Sequence, residues 1–197
     1  MQSALTAKAL SCRRGDRWLF EALDLSLDAG EALYLTGPNG AGKTSLMRML
    51  AGLLRPSPTL QGMMGTIAWS GSVAMLDERP ALDMALPLGE ALAFWRDIDG
   101  AQDVPFERLG IAPLLDVPVR YLSTGQKKRA ALARMMGQGA RNWLLDEPLN
   151  GLDVAGVALI EELVAEHCAR GGTAIVTSHQ PIRLPGARQL DIGTQAL

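Results

Sequence analysis

Gly37-Pro38-Asn39-Gly40-Ala41-Gly42-Lys43-Thr44 places glycines, a lysine and a threonine at the spacing G-x-x-x-x-G-K-[ST]. Glycines let the backbone wrap closely enough for successive N–H groups to face phosphate oxygens. A helix beginning near Gly42 adds the positive end of its dipole. Lys43 has the reach for β- and γ-phosphates, the Thr44 hydroxyl can ligate Mg²⁺, and Ser45 follows in the same turn. Residues 37–45 are therefore expected to cradle the phosphates of a nucleotide.

Asn142-Trp143-Leu144-Leu145-Asp146-Glu147-Pro148 is an apolar run that ends in two carboxylates. A parallel strand beside the one feeding the glycine-rich loop would deliver both to the ligand-binding edge of the sheet. There Asp146 can hold Mg²⁺ through water, and Glu147 can act as general base or orient the attacking water. Leu122-Ser123-Thr124-Gly125-Gln126 opens a helix, and Lys127-Lys128-Arg129 follows. Cations in a first helical turn oppose the macrodipole. Either they form a solvated face or an anion binds nearby.

The elements that must position these residues follow from periodicity and turn chemistry. Residues 3–36 read as strands broken at Arg14-Gly15-Asp16 and Asp28-Ala29-Gly30-Glu31, with a buried strand at Ala32–Thr36. Leu46, Met49, Leu50 and Leu53 give a helical stripe that stops near Gly52. Further strands are expected at 72–76, 142–145 and 173–177. Helices are expected at 88–98, 105–109, 113–116 and 124–136. Another begins after Asp153, a suitable N-cap, with Val157, Ile160, Leu163, Val164 and Cys168 on one face. Alternating strands and helices imply an α/β fold with antiparallel strands at the N-terminus, a mainly parallel core sheet and an inserted helical subdomain. The core subdomain would comprise residues 1–80 and 137–197, and the helical one about 84–136, within a single domain spanning 1–197.

Taken in order, these segments resemble the motifs of ATP-binding-cassette (ABC) ATPases. Leu122–Gln126 resembles the family signature, Leu149-Asn150-Gly151-Leu152-Asp153 the D-loop, and Thr177-Ser178-His179 the switch histidine. Within the family the resemblance is strongest to ATPase subunits of haem exporters that serve cytochrome c biogenesis. It rests on Val117–Ser123, Trp143–Pro148, Ser178-His179-Gln180-Pro181 and the compact length. The resemblance implies the P-loop ABC-type nucleotide-binding fold, ATP with Mg²⁺, and a head-to-tail dimer. In that dimer Ser123, Thr124, Gly125 and Gln126 of one copy would face the γ-phosphate held by the other. Glu147 and His179 would be catalytic, and Asp153 would belong to the D-loop. It further implies a polytopic membrane partner and a peripheral position on the cytoplasmic face of the inner membrane.

Three departures stand out. Thr124 replaces a glycine, which is tolerable where φ stays negative. Asp77-Glu78-Arg79-Pro80 replaces the family's Q-loop glutamine, whose equivalent is Glu78 or Arg79; only Glu78 could add to an Mg²⁺ site. The usual aromatic beside adenine is missing, leaving Arg14 at that spacing and Trp18 as the alternative. Residues 77–96, with Met84, Leu86, Leu88, Phe94 and Trp95, form the candidate dock for the membrane partner.

Composition narrows the remaining classes. With 197 residues, 48% hydrophobic and a net charge of -2, the chain is expected to fold as one domain and not to bind nucleic acid. The length leaves no room for the coiled-coil insertions of chromosome and repair relatives, or for the second cassette of translation factors. No run of about 18 apolar residues or secretory leader is present, so a soluble intracellular chain is expected. Cys12 and Cys168 fit no metal or haem-attachment spacing.

Overall fold

The computed structural model describes residues 3–77, 79, 81–100 and 103–195. Glu78, the metal-binding Q-loop candidate, lies outside them. Two long strands, β1 (Ser3–Arg14) and β2 (Arg17–Asp28), form a hairpin around Gly15 and Asp16. Gly15 has φ 58°, which a two-residue hairpin turn requires. A short strand, β4 (Thr66–Trp69), adds to the other edge of β1 and completes an antiparallel sheet in the order β2-β1-β4.

The second sheet is wholly parallel. Its strands are β3 (Ala32–Thr36), β5 (Val73–Leu76), β6 (Asn142–Asp146), β7 (Thr173–Thr177) and β8 (Arg188–Asp191), in the order β5-β6-β7-β3-β8. Side chains alternate between its faces, and two apolar clusters result. Leu33, Leu35, Leu144 and Ile175 pack with the hairpin and with helix α1 (Lys43–Leu50). Trp143, Leu145, Ala174 and Val176 pack on the opposite face. That face is covered by helices α2 (Leu88–Asp99), α3 (Thr124–Gly137) and α4 (Val154–Ala169).

Several expectations are corrected. Strand β6 is not beside β3, because β7 lies between them. The α1 stripe ends at Leu50. Ala51 caps the helix, Gly52 turns left-handed at φ 73°, and Leu53 is 69% exposed. Residues 106–110 form turns, and 112–114 form a short 3-10 helix in place of the helix expected over 113–116. Strands β4 and β8 were not anticipated from the sequence. No helix among the described residues is long and apolar enough to cross a membrane.

Candidate functional site

Strand β3 feeds directly into the glycine-rich loop, and α1 begins at Lys43. Gly37, Gly40 and Gly42 have φ 137°, 77° and 106°, a left-handed path that a Cβ would strain. At Gly42 a Cβ would also meet Phe20 at 3.1 Å and Leu19 at 3.2 Å, so the hairpin seats the loop. Gly42 is the N-cap of α1 and brings no side-chain acceptor. The first N–H groups of that helix thus have no capping side chain, as an anion site requires. The Lys43 ammonium donates to the carbonyls of Gly37 at 2.7 Å and Pro38 at 3.2 Å. Pro38, Asn39 and Gly40 are exposed, Ala41 is buried, and Thr44 opens to solvent beside half-buried Ser45.

The carboxylates of β6 lie across β7 from this loop, and β7 ties them down. Thr177 Oγ1 donates to Asp146 Oδ1 at 2.7 Å and accepts from the Glu147 N–H at 2.9 Å. The His179 N–H donates to Glu147 Oε2 at 3.1 Å. His179 Nε2 stands 3.3 Å from Glu147 Oε1, an ion pair only when the imidazole is protonated. That contact lacks hydrogen-bond geometry, so buried Oε1 has no hydrogen-bond partner. A carboxylate oxygen left in this way keeps its capacity to accept a hydrogen bond. His179 follows two residues after the end of β7, the strand that lies between β3 and β6. Tyr34 on β3 donates its hydroxyl to the Ser178 carbonyl at 3.1 Å. Burial, and after it the charge of Glu147, raises the Tyr34 pKa.

Ser123 and Gln126 form a reciprocal capping box at the start of α3. Ser123 Oγ accepts from the Gln126 N–H at 3.2 Å, and Gln126 Oε1 accepts from the Ser123 N–H at 2.8 Å. An accepting hydroxyl keeps its own proton to donate outward, and Ser123 and Thr124 are exposed. Thr124 sits inside the helix at negative φ, so its Cβ costs nothing there. Gly125 and Gly151 interlock with each other's segments. A Cβ on Gly125 would lie 2.8 Å from the Gly151 carbonyl, and one on Gly151 would lie 2.7 Å from Thr124 Cγ2. The Asp153 carboxylate caps α4, accepting from the Gly156 N–H at 2.8 Å.

The cations after the signature do not share one face. Lys127 Nζ donates to the Arg120 carbonyl at 3.2 Å, whereas Lys128 turns inward and donates to the Glu147 carbonyl at 3.2 Å. Arg129 extends toward Gly110. The inward turn of Lys128 had a signal, because 128, 131, 132 and 135 form one helical stripe and all are buried. Arg14 and Trp18 diverge as well. Burial raises the pKa of the Cys12 thiol, against the lowering influence of the neighbouring Ser45 and Arg14 side chains. Trp18 instead faces Arg13, 5.9 Å from its guanidinium, beside Ser57–Leu60. Arg79 donates its backbone N–H to Asp77 Oδ1 at 2.9 Å, which turns the segment after β5.

Residues 20–150 match the family profile described as ABC transporter. The cytochrome c biogenesis ATP-binding export protein CcmA of Novosphingobium aromaticivorans is 54% identical over 97% of this chain and 96% of its own. The protein of the same name from Sphingopyxis alaskensis is 44% identical over 100% of both chains. Among solved structures, a metal-chelate type ABC transporter in an inward-facing conformation superposes with a TM-score of 0.80. It has 23% identity and covers 98% of this chain and 81% of that one, a likeness of fold. RNase-L Inhibitor superposes equally well at TM-score 0.80 and 26% identity, over 96% of this chain but 37% of that one.

Proposed function

The chain belongs to the ABC transporter family of ATP hydrolases, and from that membership we propose that it powers a membrane exporter of cytochrome c biogenesis, whose cargo is haem. The carrying observation is the likeness at 54% identity, across nearly the whole of both chains, to a protein named for that export. The fold alone does not separate transport from other uses, because RNase-L Inhibitor shares it equally.

In this reading the 37–45 loop holds the ATP phosphates, with Lys43 swinging from its carbonyl contacts to the β- and γ-phosphates. The hard oxygens of Thr44 and Asp146 suit Mg²⁺, which when bound neutralises phosphate charge. Glu147 Oε1 accepts a proton from the attacking water, and the imidazole of His179 beside it faces the γ-phosphate. Arg14, on the Ser45 side of the hairpin, is the better-placed partner for adenine, where its guanidinium can stack. A second copy supplies Ser123–Gln126 across the nucleotide, with Asp153 fixing the loop between them. Residues 84–136 form the helical unit that carries this signature, and the membrane partner seats the assembly on the cytoplasmic face.

The test is complementation of a strain that lacks the corresponding ATPase. The wild-type chain should restore c-type cytochromes and co-purify with a polytopic membrane protein. Glu147→Gln should bind ATP, hydrolyse it at least about 100-fold more slowly and fail to complement. Restored cytochromes with Glu147→Gln would remove the general-base role. Association with ribosomes in place of membranes would replace the transport reading.

A further inference from the structure

Glu147 adopts φ 50° immediately before Pro148. A left-handed backbone is unfavourable for a residue with a Cβ and persists only where its surroundings over-determine it. Thr177 accepts the Glu147 N–H, the His179 N–H holds Oε2, and Lys128 Nζ holds the carbonyl. The first two restraints come from β7 and its end, in the same sheet as β6. The third comes from α3, one helical turn beyond Thr124. Lys128 is only 8% exposed and Glu147 only 7%, so the contact is sealed from solvent.

We propose that Lys128 is a positioning residue that ties the backbone of the hydrolytic carboxylate to the signature helix. The proposal rests on the reading of Glu147 as general base. Ser123 and Thr124 face outward at the tip of α3, while Lys128 on the next turn faces inward to Glu147. A rigid helix moves both together. Seating the helix tip against a nucleotide thereby sets the Glu147–Pro148 peptide, and with it the aim of Oε1. Lys128 acts through the Glu147 backbone, which its ammonium holds.

The experiment measures kcat, KM and equilibrium ATP affinity on the full chain for Lys128→Met, Lys128→Arg and Glu147→Gln, with melting temperatures in parallel. Lys128→Met keeps the stem and loses the donor. Its kcat should fall by roughly 10- to 100-fold, because small misplacement of a catalytic group costs that much. KM and ATP affinity should stay within about twofold, since ground-state binding is untouched. Lys128→Arg, which retains a donor, should recover most of the rate. If Lys128→Met does not fold at the assay temperature, Lys128→Leu, which also lacks a donor, takes its place and should show the same loss confined to kcat. A wild-type kcat in the donor-free variant, or a loss carried by KM, would overturn the proposal. Inactive Glu147→Gln beside fully active Lys128→Met would refute the strut alone, whereas active Glu147→Gln would refute the base itself.

Discussion

Thr177 does more for the site than its place in a motif implies. One hydroxyl donates to Asp146 Oδ1 and accepts from the Glu147 N–H, and both contacts are buried. Thr177→Val keeps the shape and leaves both groups unpaired. Equilibrium unfolding in urea should show a loss of about 2–4 kcal/mol, the cost of one stranded N–H and one stranded carboxylate oxygen. Thr177→Ser should recover most of it, and a Val variant as stable as wild type would show that water replaces the hydroxyl. At this scale the sequence was legible wherever a residue type has few alternative uses, as with Gly42, Lys43, Asp146 and Glu147. It was silent on Thr177 as a bridge, because threonine is an ordinary strand residue. It was ambiguous on Lys128, because a lysine within a basic triad also fits a solvated face. Only the buried stripe with Ala131, Leu132 and Met135 separates the two readings.

Helix α4 shows the same competition one level up. His167 lies in its last turn, where the helix dipole favours a charged imidazole. Its ring stacks on Trp143 at 3.9 Å, and Nε2 lies 3.0 Å from the Arg141 carbonyl. Burial is the largest influence and lowers the His167 pKa, with Arg170 adding repulsion, against the raising effect of the Arg141 and Thr173 backbones. The folded chain thus prefers the neutral ring. Its contribution to stability is full above the unfolded value of 6.5 and is lost as pH falls through the lower folded value. Melting temperature should therefore decline below pH 6.5 more steeply in the wild type than in His167→Phe, which keeps the stack and cannot ionise. Parallel declines would assign the acid sensitivity to carboxylates alone. Element types were legible where periodicity spans several turns, as in α3 and α4. Strands β4 and β8 were not, because Thr66–Trp69 and Arg188–Asp191 are short edge segments with little alternation. Pairing with β1 and β3 makes them strands, and intrinsic preference does not. The turns at 106–110 misled for the converse reason: one i→i−4 bond, Leu109 N–H to the Pro105 carbonyl, mimics a helix that does not propagate.

For the whole molecule, the two apolar clusters account for most large side chains, so those left outside carry information. Of the dock expected over 77–96, Leu88 is fully buried and Leu86 and Trp95 pack against the core. Trp95 is further fixed by its Nε1 bond to the Ala81 carbonyl and by the Arg134 guanidinium 3.7 Å over its ring. Phe94 remains, 58% exposed, with Met84 also exposed; Ile98, just beyond the expected stretch and one helical turn along α2, is 60% exposed. Such residues contribute little to folding and are what a partner's apolar groove would bury. Phe94→Glu combined with Ile98→Glu should leave the melting temperature within about 2 °C, since exposed substitutions move stability by little. Basal ATPase activity of the isolated chain should also persist, because neither residue touches the loop, the carboxylates or the signature. Co-purification of the membrane partner and restoration of c-type cytochromes should both fail. If both survive, the partner docks elsewhere. If basal hydrolysis falls instead, α2 acts on the site through its packing with α3, and the helical unit couples to chemistry even without a membrane partner.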